Sequence, residues 1–310
     1  MTLDGAAGEP LVHIQDFRMD FGETTVIRDL SFDVRAGETF GFLGSNGSGK
    51  TTTLRALLGI YQPTAGTLHI GGRPFTPQVG IRLGYLPEER GLYKKESVLD
   101  VMVYFGRLKG MDKTHAKNWS REYLEQVDLA DKVHTRVDKL SGGQQQKIQL
   151  GVTIMNDPQL LILDEPTKGF DPVNRRLLMD IIEERKLAGA TVIMVTHQME
   201  EVERLCDRVI LLKDGTSRAY GTVEEVQEQF GGTVYRLAYD GVLPASALYD
   251  IVAAGDGRAE LSPRAAGNES AVLRELINGG VAVRSFTPAR TSLDEIFIQV
   301  YGEDHHMAET

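Results

Sequence analysis

One segment of the sequence carries the residue types that bind phosphate groups. It runs Gly44-Ser45-Asn46-Gly47-Ser48-Gly49-Lys50-Thr51 and fits the pattern G-x-x-x-x-G-K-[ST]. Glycines let the backbone curl so that successive N–H groups point at phosphate oxygens, and a helix that begins there adds partial positive charge. Lys50 can then reach the β- and γ-phosphates, and the Thr51 hydroxyl can ligate Mg²⁺. The segment predicts a nucleotide site; a Gly-rich turn with a solvated lysine is the alternative.

Two adjacent carboxylates follow an apolar run that is predicted to be a buried strand. The run is Leu160-Leu161-Ile162-Leu163, and Asp164 and Glu165 come directly after it. Buried strands rarely end in adjacent acids unless a cation lies there. We predict that Asp164 holds Mg²⁺, directly or through water, and that Glu165 deprotonates the attacking water as a general base. Simple solvation of the strand end is the alternative, but nucleotide hydrolysis needs both a phosphate loop and such a carboxylate.

A second segment also has the character of an anion site. Leu140-Ser141-Gly142-Gly143-Gln144 offers backbone N–H groups and a hydroxyl with little side-chain bulk, at a predicted helix start. Because the chain already has a phosphate loop for its own nucleotide, this segment is best used on a nucleotide that another molecule holds. An ordinary helix cap is the alternative interpretation.

With these residues in place, the sequence resembles the nucleotide-binding subunit of an ATP-binding-cassette (ABC) transporter. Five elements stand in the order that this family has, and the resemblance covers about residues 10 to 230. They are the phosphate loop at 44–51, Tyr85-Leu86-Pro87-Glu88, the LSGGQ segment at 140–144, the acidic strand end at 160–165, and His197 after the apolar run Thr191–Val195.

The resemblance implies roles for several further residues. His197 is expected to contact the γ-phosphate and the attacking water, and Glu88 to be a metal ligand together with Thr51 and Asp164. Asp171 matches the loop that links the two sites of a dimer, and Phe21 matches the aromatic that stacks on adenine. The expected ATP contacts are Phe21, Gly44, Ser45, Asn46, Gly47, Ser48, Gly49, Lys50, Thr51 and Thr52.

The resemblance also implies cofactors and partners. In the family, two cassettes pair head to tail, and Leu140, Ser141, Gly142, Gly143 and Gln144 of one cassette would cap the ATP on the phosphate loop of the other. ATP and Mg²⁺ are therefore the expected cofactors, and a second copy or a paralogous cassette is an expected partner. Because the γ-phosphate favours the paired state, hydrolysis would release it.

Three positions depart from the pattern of the family. Glu88 stands where glutamine is usual, and an ionised carboxylate binds a metal but cannot donate a hydrogen bond. Lys168 stands where small residues are common, and nothing in the sequence explains it. Lys147 stands where arginine is frequent in the family. A lysine keeps the positive charge but loses the two-pronged hydrogen bonding of a guanidinium group.

The elements that would position these residues follow from hydrophobic periodicity. Short apolar runs around residues 39–43, 160–163 and 191–195 predict central parallel strands, and residues 11–34 predict two further strands. The expected fold class is α/β: a P-loop NTPase of the ABC cassette type with a mixed core sheet, an antiparallel β subdomain and a helical subdomain at about 89–157. The segment from Tyr85 to Tyr93 is where such cassettes usually couple to membrane domains.

A separate domain is predicted after Gly231-Gly232. Residues 231–302 show their own alternation, with strands expected at 233–239, 258–261 and 281–286, and helices at 246–253, 269–277 and 292–301. This small α/β domain resembles the one on cassettes of ABC-2-type exporters, including sodium- and drug-extrusion systems. Dimer contact, regulation and stability are the alternative roles, and we favour dimer contact. The cassette is expected at 10–230, and residues 303–310 are expected to form a frayed tail.

Composition excludes several classes of function. The chain has 310 residues, 41% of them hydrophobic, and a net charge of -10, which disfavours nucleic acid as a partner. A single cysteine, Cys206, excludes a disulfide framework and fits a reducing compartment. No apolar stretch is long enough to span a membrane, and no signal peptide is expected. We therefore expect a cytoplasmic protein that lies on the inner face of the membrane through a separate ABC-2-type permease.

Three alternatives to an exporter ATPase remain at this point. A soluble cassette protein of translation or DNA repair typically has two cassettes in one chain, or a long coiled-coil or zinc insertion. A nucleotide-gated module without enzymatic activity is disfavoured by an intact Glu165 and His197, and a P-loop kinase has no use for LSGGQ. The sequence does not identify the cargo, because cargo contacts belong to the permease.

Overall fold

The chain forms two compact units in a computed structural model. The structure describes residues 10–74, 76, 81–89, 91–231, 233–265 and 268–306. The units divide between Gly221 and Thr222, so the helix at 223–230 belongs to the C-terminal unit. The expected boundary places this helix in the cassette. The predicted boundary at Gly231-Gly232 includes Gly232, which lies outside the described residues.

A mixed sheet forms the centre of the first unit. Within the described residues it has nine strands in the order β4-β1-β2-β9-β8-β3-β7-β6-β5. The strands are β1 (Val12–Phe21), β2 (Thr24–Val34), β3 (Thr39–Gly44), β4 (Ala65–Ile70), β5 (Leu83–Leu86), β6 (Leu160–Asp164), β7 (Thr191–Val195), β8 (Arg208–Lys213) and β9 (Thr216–Thr222).

The parallel strands at the core of this sheet end at the same edge. β3, β6, β7 and β8 are buried at every residue, as expected for strands that are covered on both faces. In the register, Asp164 lies opposite Val195 and Leu86 lies opposite Leu163, so the residues that follow these three strands meet at one edge. Ligands bind at this edge in open α/β sheets, and the predicted site residues follow these strands.

Antiparallel strands β1, β2 and β4 form the other part of the sheet. β1 pairs with β2 and with β4 through bulged registers, and its residues Val12, Ile14 and Phe17 are buried in the main core. This is the antiparallel β part of the expected fold.

Six α-helices complete the first unit among the residues that are described there. They are α1 (Lys50–Leu57), α2 (Val98–Leu108), α3 (Lys113–Gln126), α4 (Gly142–Ile154), α5 (Pro172–Leu187) and α6 (Met199–Leu205). α2, α3 and α4 pack together as the expected helical part, and α4 is buried from Gln146 to Ile154. Lys147 on α4 is buried too, and its Nζ donates to Val127 O at 3.0 Å. No helix in the described part of the chain is long and apolar enough to cross a membrane.

The second unit combines a four-stranded antiparallel sheet with helices. In the described ranges its strand order is β11-β12-β10-β13, and its core includes Tyr235, Leu261 and Leu276. The elements are α7 (Val223–Phe230), β10 (Thr233–Asp240), β11 (Tyr249–Gly255), β12 (Arg258–Pro263), α8 (Glu269–Asn278), β13 (Ala282–Arg290) and α9 (Leu293–His306).

Two expectations for this unit are wrong. The helix predicted at 246–253 is strand β11, because Asp256 and Gly257 adopt positive φ angles of 49° and 71° and reverse the chain in a tight hairpin onto β12. The tail predicted from residue 303 begins inside α9, which continues to His306; residues 307–310 lie outside the described ranges.

Candidate functional site

The predicted phosphate loop connects β3 to α1. Gly47 and Gly49 have φ angles of 81° and 106°, a backbone region that side-chain-bearing residues rarely adopt. Gly49 is also the N-cap of α1, and a Cβ there would collide with the side chain of Ile27. The N–H groups at the start of α1 therefore face the loop, and Thr51 and Thr52 lie in its first turn.

Lys50 is folded onto this loop. Its Nζ donates to Gly44 O at 2.7 Å and to Ser45 O at 2.9 Å. Burial lowers the pKa of Lys50, while Glu165, Asp164 and Glu88 act to raise it. The ammonium group thus lies inside the loop and in the electrostatic field of the three predicted carboxylates.

The two strand-end acids differ in their surroundings. Asp164 is 3% exposed, and burial, with help from Glu88 and Glu165, raises its pKa to about 6. Glu165 has a φ of 50°, which is strained for a glutamate, and its backbone N–H donates to Val195 O at 2.8 Å. Neighbouring strand β7 therefore fixes the turn that aims the Glu165 side chain.

His197 faces Glu165 across the ends of β6 and β7. Its Nδ1 lies 2.8 Å from Glu165 Oε1, and its side chain is half exposed whereas that of Glu165 is nearly buried. A carboxylate that accepts from Nδ1 orients the imidazole and fixes which nitrogen carries the proton. The structure thus brings together the two residues that were predicted to be catalytic.

The residues at this edge fit a nucleotide with one magnesium ion. Among the described residues, no group of three or more His, Cys, Asp or Glu side chains is arranged to hold a metal. Magnesium commonly takes one or two carboxylates and completes its shell with phosphate oxygens and water. Ser48 Oγ in the phosphate loop is buried without a hydrogen-bond partner, which a bound phosphate or a metal-bound water would satisfy. Asp164 and Thr51 would supply the carboxylate and the hydroxyl.

Glu88 and Lys168, the two unexplained departures of the sequence, form an ion pair. Lys168 Nζ donates to Glu88 Oε1 at 2.5 Å, and both side chains are exposed. The hydrogen bond with Glu88 raises the pKa of Lys168, and the charges of Glu88, Glu165 and Asp164 add to this effect. Lys168 therefore belongs to the same cluster of charges as Lys50 and the acids.

The LSGGQ segment begins α4. Ser141 is the N-cap: its Oγ accepts from Gln144 N at 3.3 Å, and Gln144 Oε1 accepts from Ser141 N at 2.9 Å. This capping box pairs the polar groups of the segment within one protomer. Gly143 packs against the ring of Phe170, so the segment lies next to the loop that contains Asp171.

Asp171 and Phe21 also have defined surroundings. Asp171 caps α5 by accepting from Val173 N and Asn174 N at 3.0 Å, and the hydrogen bonds from Asn174 lower its pKa. Phe21 at the end of β1 is 45% exposed, and its ring contacts that of Tyr61 edge to face at 5.3 Å. An exposed aromatic with a supported ring suits stacking on a base.

Two supporting residues were missed in the sequence. Buried Glu201 accepts from the Thr167 and Thr196 hydroxyls, which joins the segment after Glu165 to the segment before His197. Gln149 on α4 donates to Pro87 O at 3.3 Å and to Glu89 O at 3.0 Å, which joins the LSGGQ helix to the segment that carries Glu88. Polar residues on an apolar helix face were the available signal for both.

Fold and site together define a class of protein. A phosphate loop after a central parallel strand, with acids after the neighbouring strand, is the arrangement of nucleotide-binding P-loop ATPases. The charges at the sheet edge and the loop between β3 and α1 are consistent with this class.

Comparisons with known proteins identify the family. Residues 27–168 match the family described as "ABC transporter", and residues 221–301 match "ATP-binding protein DrrA1-3-like, C-terminal domain". The ABC transporter ATP-binding protein YhaQ of Bacillus subtilis is 36% identical over 91% of this chain and 95% of its own length. The Nod factor export ATP-binding protein I of Burkholderia lata is 34% identical over 92% of this chain and 94% of its own length.

A solved structure agrees with these relatives. It is described as "Structure of ATP binding subunit of ABC transporter", is 27% identical, and covers 72% of this chain and 94% of its own with a TM-score of 0.65. The chain therefore belongs to the ATP-binding subunits of ABC transporters, which are ATPases. The family and the fold class that were predicted from the sequence are confirmed.

Proposed function

We propose that this subunit binds MgATP at the edge of the first unit's sheet and that its hydrolysis drives export through a separate membrane permease. The observation that carries the proposal is the convergence of Lys50, Asp164, Glu165 and His197 at the ends of adjacent strands, next to an unpaired Ser48 hydroxyl. Export is supported by the DrrA-like C-terminal domain and by the relative that is named for Nod factor export.

Nucleotide binding is assigned to the loop and its surroundings. Backbone N–H groups of residues 44–52 and the Lys50 ammonium bind the phosphates, and Phe21 stacks on the adenine. Thr51, Asp164 and Glu88 would hold a magnesium ion, which would neutralise phosphate charge. Burial keeps water away from Asp164 and strengthens its attraction for a cation.

Hydrolysis is assigned to Glu165 and His197. Glu165 accepts a proton from the attacking water, since its carboxylate is nearly buried and is aimed by the strained turn after β6. His197 lies 2.8 Å from this carboxylate. It would contact the γ-phosphate of the bound nucleotide.

A second cassette would complete each site. Leu140, Ser141, Gly142, Gly143 and Gln144 would cap the nucleotide of the partner, and Asp171 would link the two sites. Ser141 must then exchange a local hydrogen bond for one to phosphate, which costs little because the local bonds of the capping box are exposed.

The permease is proposed to bind an aromatic surface on the helical part of the first unit. Tyr93, Tyr104 and Leu108 are 52%, 46% and 65% exposed, and the rings of Tyr93 and Tyr104 pack edge to face at 5.4 Å. This surface adjoins the predicted coupling segment 85–93, of which Arg90 lies outside the described residues. An ABC-2-type permease is the proposed partner, and the subunit would lie on the cytoplasmic face of the membrane.

The variant Glu165→Gln tests the assignment of the base. We expect it to bind ATP with wild-type affinity, to lose at least about 100-fold in turnover, and to accumulate a dimer with ATP. Phosphate release and sedimentation velocity measure these effects. Ser141→Arg in the same background should abolish the dimer and leave ATP binding to each protomer intact.

Two results would overturn this function. Full turnover of Glu165→Gln would remove Glu165 as the base. A dimer that survives Ser141→Arg would contradict the shared site. Lys50→Ala serves as the control that should not bind ATP at all.

A further inference from the structure

The pair between Glu88 and Lys168 joins two segments that are far apart in sequence. Glu88 follows β5, and Lys168 lies in the turn after β6, where its N–H donates to Glu165 O at 3.2 Å. β5 and β6 are parallel neighbours, so both residues reach the same sheet edge. Lys168 Nζ donates to Oε1 of Glu88 at 2.5 Å.

Lys168 offsets part of the negative charge at this edge. Glu88, Asp164 and Glu165 all act on Lys50, which lies inside the phosphate loop. A carboxylate at position 88 adds negative charge where phosphate groups are to bind. Lys168 adds a positive charge in direct contact with that carboxylate, so the pair leaves the net charge of the site unchanged.

We propose that Lys168 is a positioning residue that supplies the counter-charge of Glu88, so that a carboxylate can stand beside the phosphates and share a magnesium ion with them. Lys168 donates to Oε1 of Glu88, and the Glu88 carboxylate would share the metal with the phosphates when magnesium is bound. The lysine acts on the reaction through Glu88. The inference rests on the proposed nucleotide site.

Nucleotide affinity in EDTA tests this directly, since it reports the charge at the site without turnover. The probe is the non-hydrolysable analogue AMP-PNP, measured by calorimetry at low salt. Lys168→Met, which keeps the length and removes the charge, should weaken binding about threefold, because Glu88 then repels the phosphates. Glu88→Gln should strengthen binding about threefold, because Lys168 then attracts them.

The combined and conservative variants complete the test. Glu88→Gln with Lys168→Met should bind within about 1.5-fold of wild type, as should Lys168→Arg, which keeps the charge. The changes in affinity caused by Lys168→Met and by Glu88→Gln should each shrink by at least about half in 0.5 M NaCl. Lys132→Met is the matched control, because Lys132 pairs with exposed Asp131 at 2.8 Å on another segment and should leave affinity unchanged.

The outcomes separate this inference from the function on which it rests. Three results would each overturn the role of Lys168. The first is that Lys168→Met and Glu88→Gln shift affinity in the same direction, and the second is that the double variant keeps the shift of either single variant. The third is that Lys168→Arg behaves as Lys168→Met does. A wild-type protein that does not bind AMP-PNP would instead overturn the nucleotide site itself.

Discussion

At the scale of single residues, burial decides how Asp164 behaves. Its carboxyl group is 3% exposed, and its pKa is raised from 3.8 to about 6. A folded-state pKa above the unfolded value means that the protonated form stabilises the fold. This contribution is complete below about pH 3.8 and is lost as the pH rises through about 6. At neutral pH, the ionised Asp164 therefore destabilises the protein in the absence of a cation.

Asp164→Asn should be more stable than wild type at pH 8, without nucleotide or magnesium. The shift in pKa corresponds to at most about 3 kcal/mol in the free energy of unfolding. Because Asp164 of the wild type gains a proton as the pH falls from 7 to 4, the difference in the free energy of unfolding between the two proteins should narrow over that range. Urea unfolding at four pH values measures it. A difference that does not depend on pH would contradict the burial effect.

The sequence identified most residues of the candidate site but not their contacts. Short motifs and apolar runs indicated the phosphate loop, Asp164, Glu165 and His197, because these residues follow strands whose patterns are local. The pair of Glu88 with Lys168 joins residues 80 positions apart, and its two members were noted only as separate departures. Such a contact depends on which strands are neighbours, which the pattern of one strand does not specify.

At the scale of elements, α4 connects the LSGGQ segment to the segment after β5. Its N-terminus carries Ser141, and from its middle the Gln149 side chain donates to Pro87 O and Glu89 O. Thr153 on the same helix donates to Tyr85 O at 3.4 Å. A largely buried helix thus contacts the segment after β5 and carries the LSGGQ segment at its N-terminus.

Gln149→Leu should loosen the segment that carries Glu88. It leaves two backbone carbonyls without their donors, so the free energy of unfolding should fall by about 1–2 kcal/mol. Amide hydrogen exchange of residues 85–89 should become faster, which mass spectrometry measures. The control is Gln126→Leu, because Gln126 only bonds to exposed Glu184 at 3.2 Å. Equal exchange in both variants would show that α4 does not restrain this segment.

The elements of the second unit show where local patterns fail. Residues 246–253 have helix-like spacing of apolar residues, yet the segment from Tyr249 is strand β11. The Asp256-Gly257 turn was the stronger signal, since a two-residue reversal requires strands on both sides. Pairing with β12 outweighs the weak helical preference of the segment.

At the scale of the whole molecule, the two units have separate cores. The core of the first includes Phe17, Phe40 and Ile193, and the core of the second includes Tyr249 and Val272. Each unit thus buries enough apolar surface to be considered a domain in its own right. The proposed nucleotide residues lie in the first unit, and contact with another copy is the role that we propose for the second.

A chain that ends at Gly221 should therefore fold and bind AMP-PNP within about twofold of the full protein. If the second unit contacts the partner, the ATP-bound dimer of the truncated Glu165→Gln protein should dissociate at least about tenfold more readily. Sedimentation equilibrium measures this. A chain that ends at His306 is the control. An unchanged dimer would assign the second unit a role other than contact between copies.

The backbone at Glu165 has a consequence for how the protein can be altered. Its φ of 50° is tolerated best by glycine and asparagine. Replacing Glu165 with either residue should thus relieve strain and raise the melting temperature while abolishing turnover. A screen for thermal stability alone would therefore enrich inactive variants at position 165, because the backbone geometry proposed for hydrolysis is not the one that gives the highest stability.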